Sequence, residues 1–341
     1  MNELIKNILK SKLSDSKKKS LIDYSEQLIE RKLPVLLDVK ALTLLFNLEF
    51  NKEIKNVQEF VRHNTIYYQI NKKSGEKRQV HSPNYELKSI QKWILNNVLE
   101  KIKISDYSHG FIKGRSIITN ASTHVHDDPS WMLTIDIRNF FDSISIEKVK
   151  IIFLELGYNE KVSDFLAELC TFDGKLAQGF PTSPYISNIY MKEIDEAIVK
   201  KMPNDINYSR YADDMSFSGI KKEKYSKKIK CLKDIVYSEL LNHGLTTNKN
   251  KYRLQKRDTK FITGLMIRKG KLTISNNYLK EIYQEIYYCK KFGVLDHLKH
   301  QNKTNISNFK GYMYGKAMFV NSIDKVQGKK LVKELNKIDW I

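Results

Sequence analysis

The chain has 341 residues, of which 41% are hydrophobic and 11% aromatic, so it is not disordered and can build a core shared by two or three subdomains. The formal net charge of +20 exceeds what solubility needs and indicates a polyanionic partner. The N-terminus has no signal-peptide core, and no apolar run approaches the ~18 residues that span a bilayer. The three cysteines are widely spaced. These features favour a cytoplasmic protein without disulfides or membrane contact.

Helical patterns dominate the first part of the chain and give way to a β-hairpin. Apolar residues recur at three- and four-residue spacing over residues 5–61, with a break at Pro34. Residues 65–70 and 77–81 are rich in strand-forming side chains, and residues 71–76 between them have the composition of a turn. The sequence therefore predicts an N-terminal helical region followed by two antiparallel strands.

The central part of the chain mixes helical and strand-like segments. Their order, a strand followed by helices, a β-hairpin, a helix and further strands, predicts an α+β fold in which an antiparallel sheet carries helices on one face. After Asn276 the chain is expected to be helical and rich in lysine. Helices are predicted over residues 87–102, 146–156, 161–169, 184–200 and 225–242, and strands over 131–137, on both sides of a tight turn within 207–219, and over 261–267 and 271–274.

Aspartates stand at the ends of predicted strands in two separate places. Asp136 closes the apolar strand 131–137, and Asp213 and Asp214 occupy the turn within 207–219. An Asp-Asp turn alone is ordinary, because aspartate favours turns. Three converging carboxylates, however, repel one another unless cations neutralise them, and two Mg²⁺ ions ~3.5–4 Å apart would do so while binding phosphate oxygens. If the three carboxylates meet in the fold, their chemistry is suited to phosphoryl transfer with two magnesium ions.

The strand that ends at Asp136, the loop with Gln178 and Gly179, and the hairpin with Asp213 and Asp214 follow one another along the chain. In this order, they resemble the palm motifs of reverse transcriptases. The similarity extends from about Leu33 to Asp324, which is most of the chain, and reaches the fingers hairpin at Lys77 and Arg78. It is carried by residues 133–144 (LTIDIRNFFDSI), 178–184 (QGFPTSP), 210–214 (RYADD), 244–248 (GLTTN) with the following Lys251, and 261–264 (FITG).

The resemblance implies a right-hand polymerase fold with fingers, palm and thumb. The palm would be the antiparallel sheet with helices on one face, and the thumb a basic helical region. From Arg268 to Ile341 there are 15 lysines and arginines against 6 aspartates and glutamates, with tyrosines between them. This composition suits the binding of a duplex backbone. The implied subdomains are an N-terminal helical extension (1–60), fingers (61–130, with part of 145–185), palm (131–265) and thumb (266–341).

Two further segments are similar to one branch of the family, the retron reverse transcriptases. Asn120 and His124 stand in the Asn-Ala-X-X-His pattern of that branch, and Ile262-Thr263-Gly264 stands where the branch has Val-Thr-Gly. By resemblance, the partner is a dedicated structured non-coding RNA. The enzyme would prime from a guanosine 2′-hydroxyl in this RNA and copy part of it into single-stranded DNA that stays joined to the RNA. The branch serves in anti-phage defence, with a separately encoded effector protein.

The resemblance also implies the residues of the catalytic centre. Asp136, Asp213 and Asp214 are expected to bind two Mg²⁺ ions, with the backbone carbonyl of Ile137 as a further ligand. Lys251 is expected to protonate the leaving pyrophosphate, with the nearby Lys249 as an alternative.

Other residues are expected to bind the deoxynucleoside triphosphate or the RNA. Ile137 borders the nucleotide site, and Phe141 is expected to exclude a ribose 2′-hydroxyl, while Phe140 is expected to be a core residue. Asn120 and His124 are candidates for RNA recognition. The triphosphate is expected to bind Lys77 and Arg78, and the nucleotide pocket to be lined by Gln178 and Gly179, where glycine permits close approach of the backbone.

Three alternatives to a retron enzyme remain. A group II intron-like enzyme normally carries further regions after the thumb, whereas about 60 residues follow Lys280 here. Another defence-associated or diversity-generating enzyme is a second alternative, although the diversity-generating type has Ser-Gln where this chain has Ser183-Pro184. A non-catalytic RNA-binding protein with the same fold is the third, and it would be expected to lose the aspartates that this chain retains.

Overall fold

The computed structural model describes residues 2–48, 56–71, 75, 77–125, 129–220, 225–301 and 309–340. The α-helices in these ranges are α1 (Asn2–Lys10), α2 (Asp15–Glu30), α3 (Val39–Leu45), α4 (Val57–His63), α5 (Tyr85–Asn97), α6 (Ile117–Ser122), α7 (Ile146–Glu155), α8 (Glu160–Cys170), α9 (Ser183–Tyr190), α10 (Lys192–Lys201), α11 (Tyr225–Asn242), α12 (Asn276–Phe292), α13 (Val294–His300), α14 (Phe309–Ile323) and α15 (Lys325–Leu335). The strands are β1 (Thr65–Asn71), β2 (Lys77–Pro83), β3 (Trp131–Asp136), β4 (Thr171–Phe172), β5 (Lys175–Leu176), β6 (Ile206–Tyr211), β7 (Asp214–Gly219), β8 (Arg253–Gln255), β9 (Lys260–Ile262), β10 (Leu265–Arg268) and β11 (Lys271–Thr273).

A four-stranded antiparallel sheet in the order β6-β7-β3-β8 organises the centre of the molecule. β3 lies inside this sheet, and its side chains alternate between two environments. Leu133 and Ile135 join the main core together with helices α7 to α11, whereas Met132 packs on the opposite face. The predicted antiparallel sheet is therefore present, and its second face is covered at Met132. The edge strand β8 was not predicted, because three residues with an arginine among them give no strand pattern.

The fingers hairpin has the predicted strands. β1 and β2 pair in antiparallel register from Thr65 with Pro83 to Asn71 with Lys77. Of the predicted turn over residues 71–76, residues 72–74 and 76 lie outside the described part. The hairpin exposes apolar side chains that a packed sheet would bury, namely Ile66, Tyr67, Tyr68 and Ile70.

One hydrophobic core, the main core, runs from Leu28 in α2 to Leu245 after α11. Residues of the predicted N-terminal extension, from Leu28 to Phe60, contribute to it together with the sheet and its helices. The N-terminal helices are thus packed against the same core as the central region. The boundaries of the four subdomains stay a prediction.

The C-terminal helices α12 to α15 enclose a second core, which includes Ile282, Met313 and Leu331 and is called the C-terminal core below. A small third cluster lies between the two cores and is called the bridging cluster. Its buried members are Ala121, Met132, Ile262, Leu265 and Ile267, with Phe319 and Ile323 of α14 packed against it.

Two predicted elements are interrupted in the structure. The predicted strand 261–267 is divided at Thr263 and Gly264, whose φ angles of +44° and +84° turn the chain, so that β9, β10 and β11 form a three-stranded antiparallel sheet. The helix predicted over 184–200 is two helices, α9 and α10, which meet at Met191. No helix in the described ranges is both long enough and apolar enough to cross a membrane.

Candidate active site

Strand pairing brings the three predicted catalytic aspartates to one end of the central sheet. Asp136, the last residue of β3, is the direct antiparallel partner of Asp214, the first residue of β7. Asp213 lies in the two-residue turn between β6 and β7, and its carbonyl oxygen accepts a hydrogen bond of 3.0 Å from the Ile137 N–H. The tight turn requires a φ of +56° at Ala212. The hairpin and β3 are thus joined at the residues that carry the carboxylates.

A buried ion pair supports this turn from behind. The Arg210 side chain is fully buried and pairs with the equally buried Asp195 of α10 at 2.9 Å. A second guanidinium nitrogen donates to the carbonyl of Ala212 at 2.9 Å and to the amide oxygen of Asn188 in α9 at 3.1 Å. The strained residue of the catalytic turn is therefore tied to two helices. We did not predict this role for Arg210 and Asp195, although an arginine inside a predicted strand next to the Asp-Asp turn was an available signal.

The electrostatics of the site show a shortage of positive charge. Burial raises the pKa of Asp214 to about 6, with further contributions from the charges of Asp213 and Asp136. Burial and the charge of Asp136 also raise the pKa of Asp213. The Lys251 ammonium lies 2.7 Å from a carboxylate oxygen of Asp136, and this hydrogen bond raises the pKa of the lysine. One lysine does not neutralise three carboxylates, so the site favours cations.

The donor set is compatible with divalent cations that also bind substrate. In the described part of the chain, no group of three or more histidine, cysteine, aspartate or glutamate side chains is arranged to enclose a metal ion. Mg²⁺ usually takes only one or two protein carboxylates and completes its coordination with water and substrate phosphates. Two paired strand ends with Asp136, Asp213 and Asp214 fit this open arrangement. The ligand set, including the Ile137 carbonyl, stays a prediction.

The fingers hairpin docks on the loop that was predicted to line the nucleotide pocket. The His81 N–H donates to the Gln178 carbonyl at 2.8 Å. Gly179 has a φ of +111°, and a Cβ at this position would overlap the carbonyl oxygen of His81. Glycine is therefore required here for contact with the hairpin. Arg78 of β2 acts electrostatically on the carboxylates, since its charge offsets a small part of the rise in the pKa of Asp213 that burial and Asp136 cause. Lys77 is exposed at the hairpin tip.

Phe141 begins a short 3₁₀ turn five residues after Asp136, the last residue of β3. Its ring is partly exposed and packs 5.5 Å from the ring of Phe140, which is buried as expected for a core residue. The turn is fastened by Lys148, whose ammonium donates to the carbonyl of Ser143 at 3.1 Å and to that of His243 at 2.9 Å. The turn that begins at Phe141 is therefore fixed in position, and the role of the ring in excluding a 2′-hydroxyl stays a prediction.

Asn120 and His124 lie behind the catalytic hairpin and are buried. The His124 ring bonds the hydroxyls of Ser209 in β6 at 2.9 Å and Ser218 in β7 at 2.7 Å, and burial lowers its pKa to about 3. The side-chain amide oxygen of Asn120 accepts from the Ser209 hydroxyl at 2.8 Å, and the amide nitrogen donates to the Thr263 hydroxyl at 3.4 Å. Direct contact of either side chain with RNA is excluded in this conformation. A role of the segment that contains them in RNA recognition stays a prediction.

Comparison with known proteins agrees with the fold. Residues 70–267, more than half of the chain, match the family model described as reverse transcriptase (RNA-dependent DNA polymerase). Apo telomerase of Candida tropicalis has a similar fold, with a TM-score of 0.54 at 14% identity over 86% of this chain and 60% of that one. The chain belongs to the reverse transcriptase family, and it is an RNA-directed DNA polymerase with a right-hand fold.

Similarity to individual proteins defines the branch. The chain is 31% identical over 278 residues to the Retron Ec86 reverse transcriptase of Escherichia coli, which covers 80% of both chains. It is 27% identical over 323 residues to the Retron Mx162 reverse transcriptase of Myxococcus xanthus, which covers 85% of this chain and 63% of that protein. The protein is a retron-type reverse transcriptase.

The docking of the hairpin on Gly179 gives a first prediction. We expect Gly179→Ala to raise the KM for deoxynucleoside triphosphates, because the added Cβ displaces the hairpin that carries Arg78. The increase should be roughly tenfold or more, which is the effect of losing one hydrogen bond to a charged group. Steady-state extension of an annealed primer measures this change. Gly174→Ala is the control, since its φ of +74° brings similar strain but its nearest neighbour, a methyl of Ile146, lies 4.0 Å away. Equal KM values in both variants would contradict a role of this contact in nucleotide binding.

The ion pair behind the turn gives a second prediction. Asp195→Asn leaves the Arg210 charge buried without a counterion, and we expect the free energy of unfolding to fall by about 3 kcal/mol or more. Denaturant titration measures the change. Asp205→Asn removes a carboxylate from the solvent-exposed pair with Lys228 and should cost at most about 1 kcal/mol. If the two variants lose the same stability, the buried pair does not support the turn.

Proposed function

We propose that the enzyme copies part of a cognate structured non-coding RNA into single-stranded DNA, primed from a guanosine 2′-hydroxyl, so that the DNA stays joined to the RNA. The retron-type relatives support this product. We further propose that the protein serves in cytoplasmic anti-phage defence with a separately encoded effector protein. The net charge of +20 suits a large RNA partner, whose phosphates bind basic surfaces.

The pairing of Asp136 with Asp214 beside Asp213 is the observation that carries the proposed chemistry. These carboxylates and the Ile137 carbonyl would hold two Mg²⁺ ions, which supply neutralising charge and activate the attacking 3′-oxygen. Lys251 carries a proton next to Asp136, from where it can protonate the leaving pyrophosphate. Its pKa is raised, so the ammonium is the stable form at neutral pH.

Residues of the fingers and the loop after β5 would bind the nucleotide. The Arg78 guanidinium can bind phosphate oxygens through paired hydrogen bonds, and the more exposed Lys77 would assist it. Gln178 and Gly179 would form the adjoining wall of the pocket. The Phe141 ring would occupy the space that a ribose 2′-hydroxyl needs, because it follows Asp136 closely and is fixed by the turn that Lys148 holds.

The thumb helices would bind the duplex that leaves the active site. Exposed tyrosines on α12 and α14 lie beside lysines, with the Lys291 ammonium 5.6 Å from the ring of Tyr287 and that of Lys316 4.7 Å from the ring of Tyr312. Ammonium groups held over rings offer charge to phosphates, and the rings offer flat apolar surface. This arrangement supports sequence-independent binding of the nucleic-acid backbone.

The nucleic acid that co-purifies with the protein tests the catalytic assignment and the product together. We expect the wild-type protein, expressed with its neighbouring RNA, to carry RNA joined to single-stranded DNA. The variant Asp213→Asn with Asp214→Asn should carry RNA alone, because asparagine keeps the shape but not the charge that binds Mg²⁺. Gel analysis before and after ribonuclease treatment distinguishes the two products.

A matched control is Asp234→Asn with Asp258→Asn, which makes the same change in charge at exposed positions and should leave the product unchanged. Joined DNA in the Asp213/Asp214 variant would refute the catalytic assignment. A wild-type enzyme that extends an annealed primer on RNA but never yields joined DNA would refute the proposed product while leaving the polymerase activity in place.

The role of Phe141 gives a separate prediction. Phe141→Ala should reduce the preference for deoxynucleotides over ribonucleotides by at least about tenfold, because the steric barrier to the 2′-hydroxyl is removed. The measurement is the ratio of kcat/KM for the two nucleotide types on one primed template. Phe141→Tyr keeps the ring and should keep the preference. An unchanged ratio in a folded Phe141→Ala protein would assign the selection to another residue.

A further inference from the structure

A short segment before α6 is attached to the catalytic hairpin. Ser108 forms a parallel bridge with Arg210, and the His109 N–H donates to the Arg210 carbonyl at 2.7 Å. A Cβ at Gly110 would lie 2.7 Å from the backbone nitrogen of Ala212, so the segment passes directly against the catalytic turn. The carbonyl of Gly110 accepts from the Asn188 amide at 2.8 Å. The position of the next residue, Phe111, is therefore fixed relative to the turn.

Phe111 combines backbone strain with exposure of its ring. Its φ is +61°, a region that glycine, asparagine and aspartate adopt at lower cost than a bulky side chain. It is the one aromatic among the described non-glycine residues with a positive φ. The side chain is 49% exposed, so burial does not offset the strain. Strain of this kind near an active site indicates a contact made with a ligand.

The surroundings of Phe111 identify the kind of ligand. Its ring centroid lies 6.2 Å from that of Tyr211, with 40° between the planes. Tyr211 is the residue before Ala212 and the cross-strand partner of Asp214. The two rings thus present flat apolar surface beside the carboxylates, and the exposed Lys113 follows two residues later. Flat rings next to a cation are the usual surface for a nucleic-acid base and its phosphate.

We propose that Phe111 and Tyr211 form a platform for the terminal base pair of the primer–template duplex at the catalytic turn. Phe111 supplies the apolar surface, and the attachment of residues 108–110 to the hairpin fixes the distance between platform and carboxylates. The inference rests on the proposed function, because it requires a duplex whose end is extended there. The strained backbone at Phe111 would hold the ring outside the fold, where it can contact the duplex.

Substitutions of Phe111 separate binding from folding. Phe111→Gly relieves the positive φ, so its thermal midpoint should equal or exceed that of the wild type, while the Kd for an annealed primer–template should rise roughly five- to a hundredfold. Phe111→Leu keeps apolar bulk but lacks a ring, and it should weaken binding in the same way. Phe111→Tyr should bind like the wild type. The KM for deoxynucleoside triphosphate, measured at saturating duplex, should stay unchanged in all three.

Tyr237→Ala is the matched control, because Tyr237 on α11 is exposed to a similar extent, 43%, and should leave duplex affinity unchanged. Wild-type affinity in a folded Phe111→Gly or Phe111→Leu protein overturns the platform. A lower thermal midpoint of Phe111→Gly also overturns it, since the ring would then stabilise the fold. If the wild type and Tyr237→Ala extend the primer while the Phe111 variants bind duplex normally, the platform fails and the polymerase function stands.

Discussion

The ion pair between Arg210 and Asp195 connects the sheet to its helices at the point where the chemistry takes place. A guanidinium removed from water requires a counterion and hydrogen-bond acceptors, and Asp195, Asn188 and the Ala212 carbonyl supply them. These partners come from α10, α9 and the turn between β6 and β7, so Arg210 links the turn to both helices. The strained backbone at Ala212 is maintained by this framework and not by the hairpin alone. The position of Asp213 and Asp214 therefore depends on residues that never contact substrate.

Positively charged side chains approach the three carboxylates from two sides. Lys251 compensates Asp136 from one side, and Arg78 acts on Asp213 from the hairpin. These two positive charges do not balance three carboxylates, and the pKa of Asp214 is raised by burial first and by the charges of Asp213 and Asp136 second. Divalent cations bound together with a triphosphate would complete the balance, because they would neutralise both the carboxylates and the phosphates.

Much of the fold could be predicted from the sequence, because β1, β2, β3, β6 and β7 have clear apolar patterns and end at polar turns. The grouping of Asp136 with Asp213 and Asp214 followed from the order of the motifs, which resembles that of reverse-transcriptase palms, since carboxylates at strand ends alone do not imply that they meet. The sequence could not show that Thr263 and Gly264 break a strand, since that depends on two backbone angles. It also could not show that Asn120 and His124 face inward, because α6 has only six residues and His124 follows it in a turn, so neither has a decisive apolar pattern. Gly179 was predicted to permit close approach in the nucleotide pocket, and in the structure its backbone lies against the His81 carbonyl of the fingers hairpin.

The division of apolar residues among separate cores has a consequence for movement during synthesis. Helices α12 to α15 keep their own C-terminal core, and in the described part of the chain their apolar link to the sheet runs through the bridging cluster, which Phe319 and Ile323 contact. A small contact area between two well-packed bodies permits rotation of one against the other without repacking either. A polymerase must move along its product by one base pair after each nucleotide is added. Here the helical body can follow the advancing product while the main core, and with it the carboxylates, stays in place.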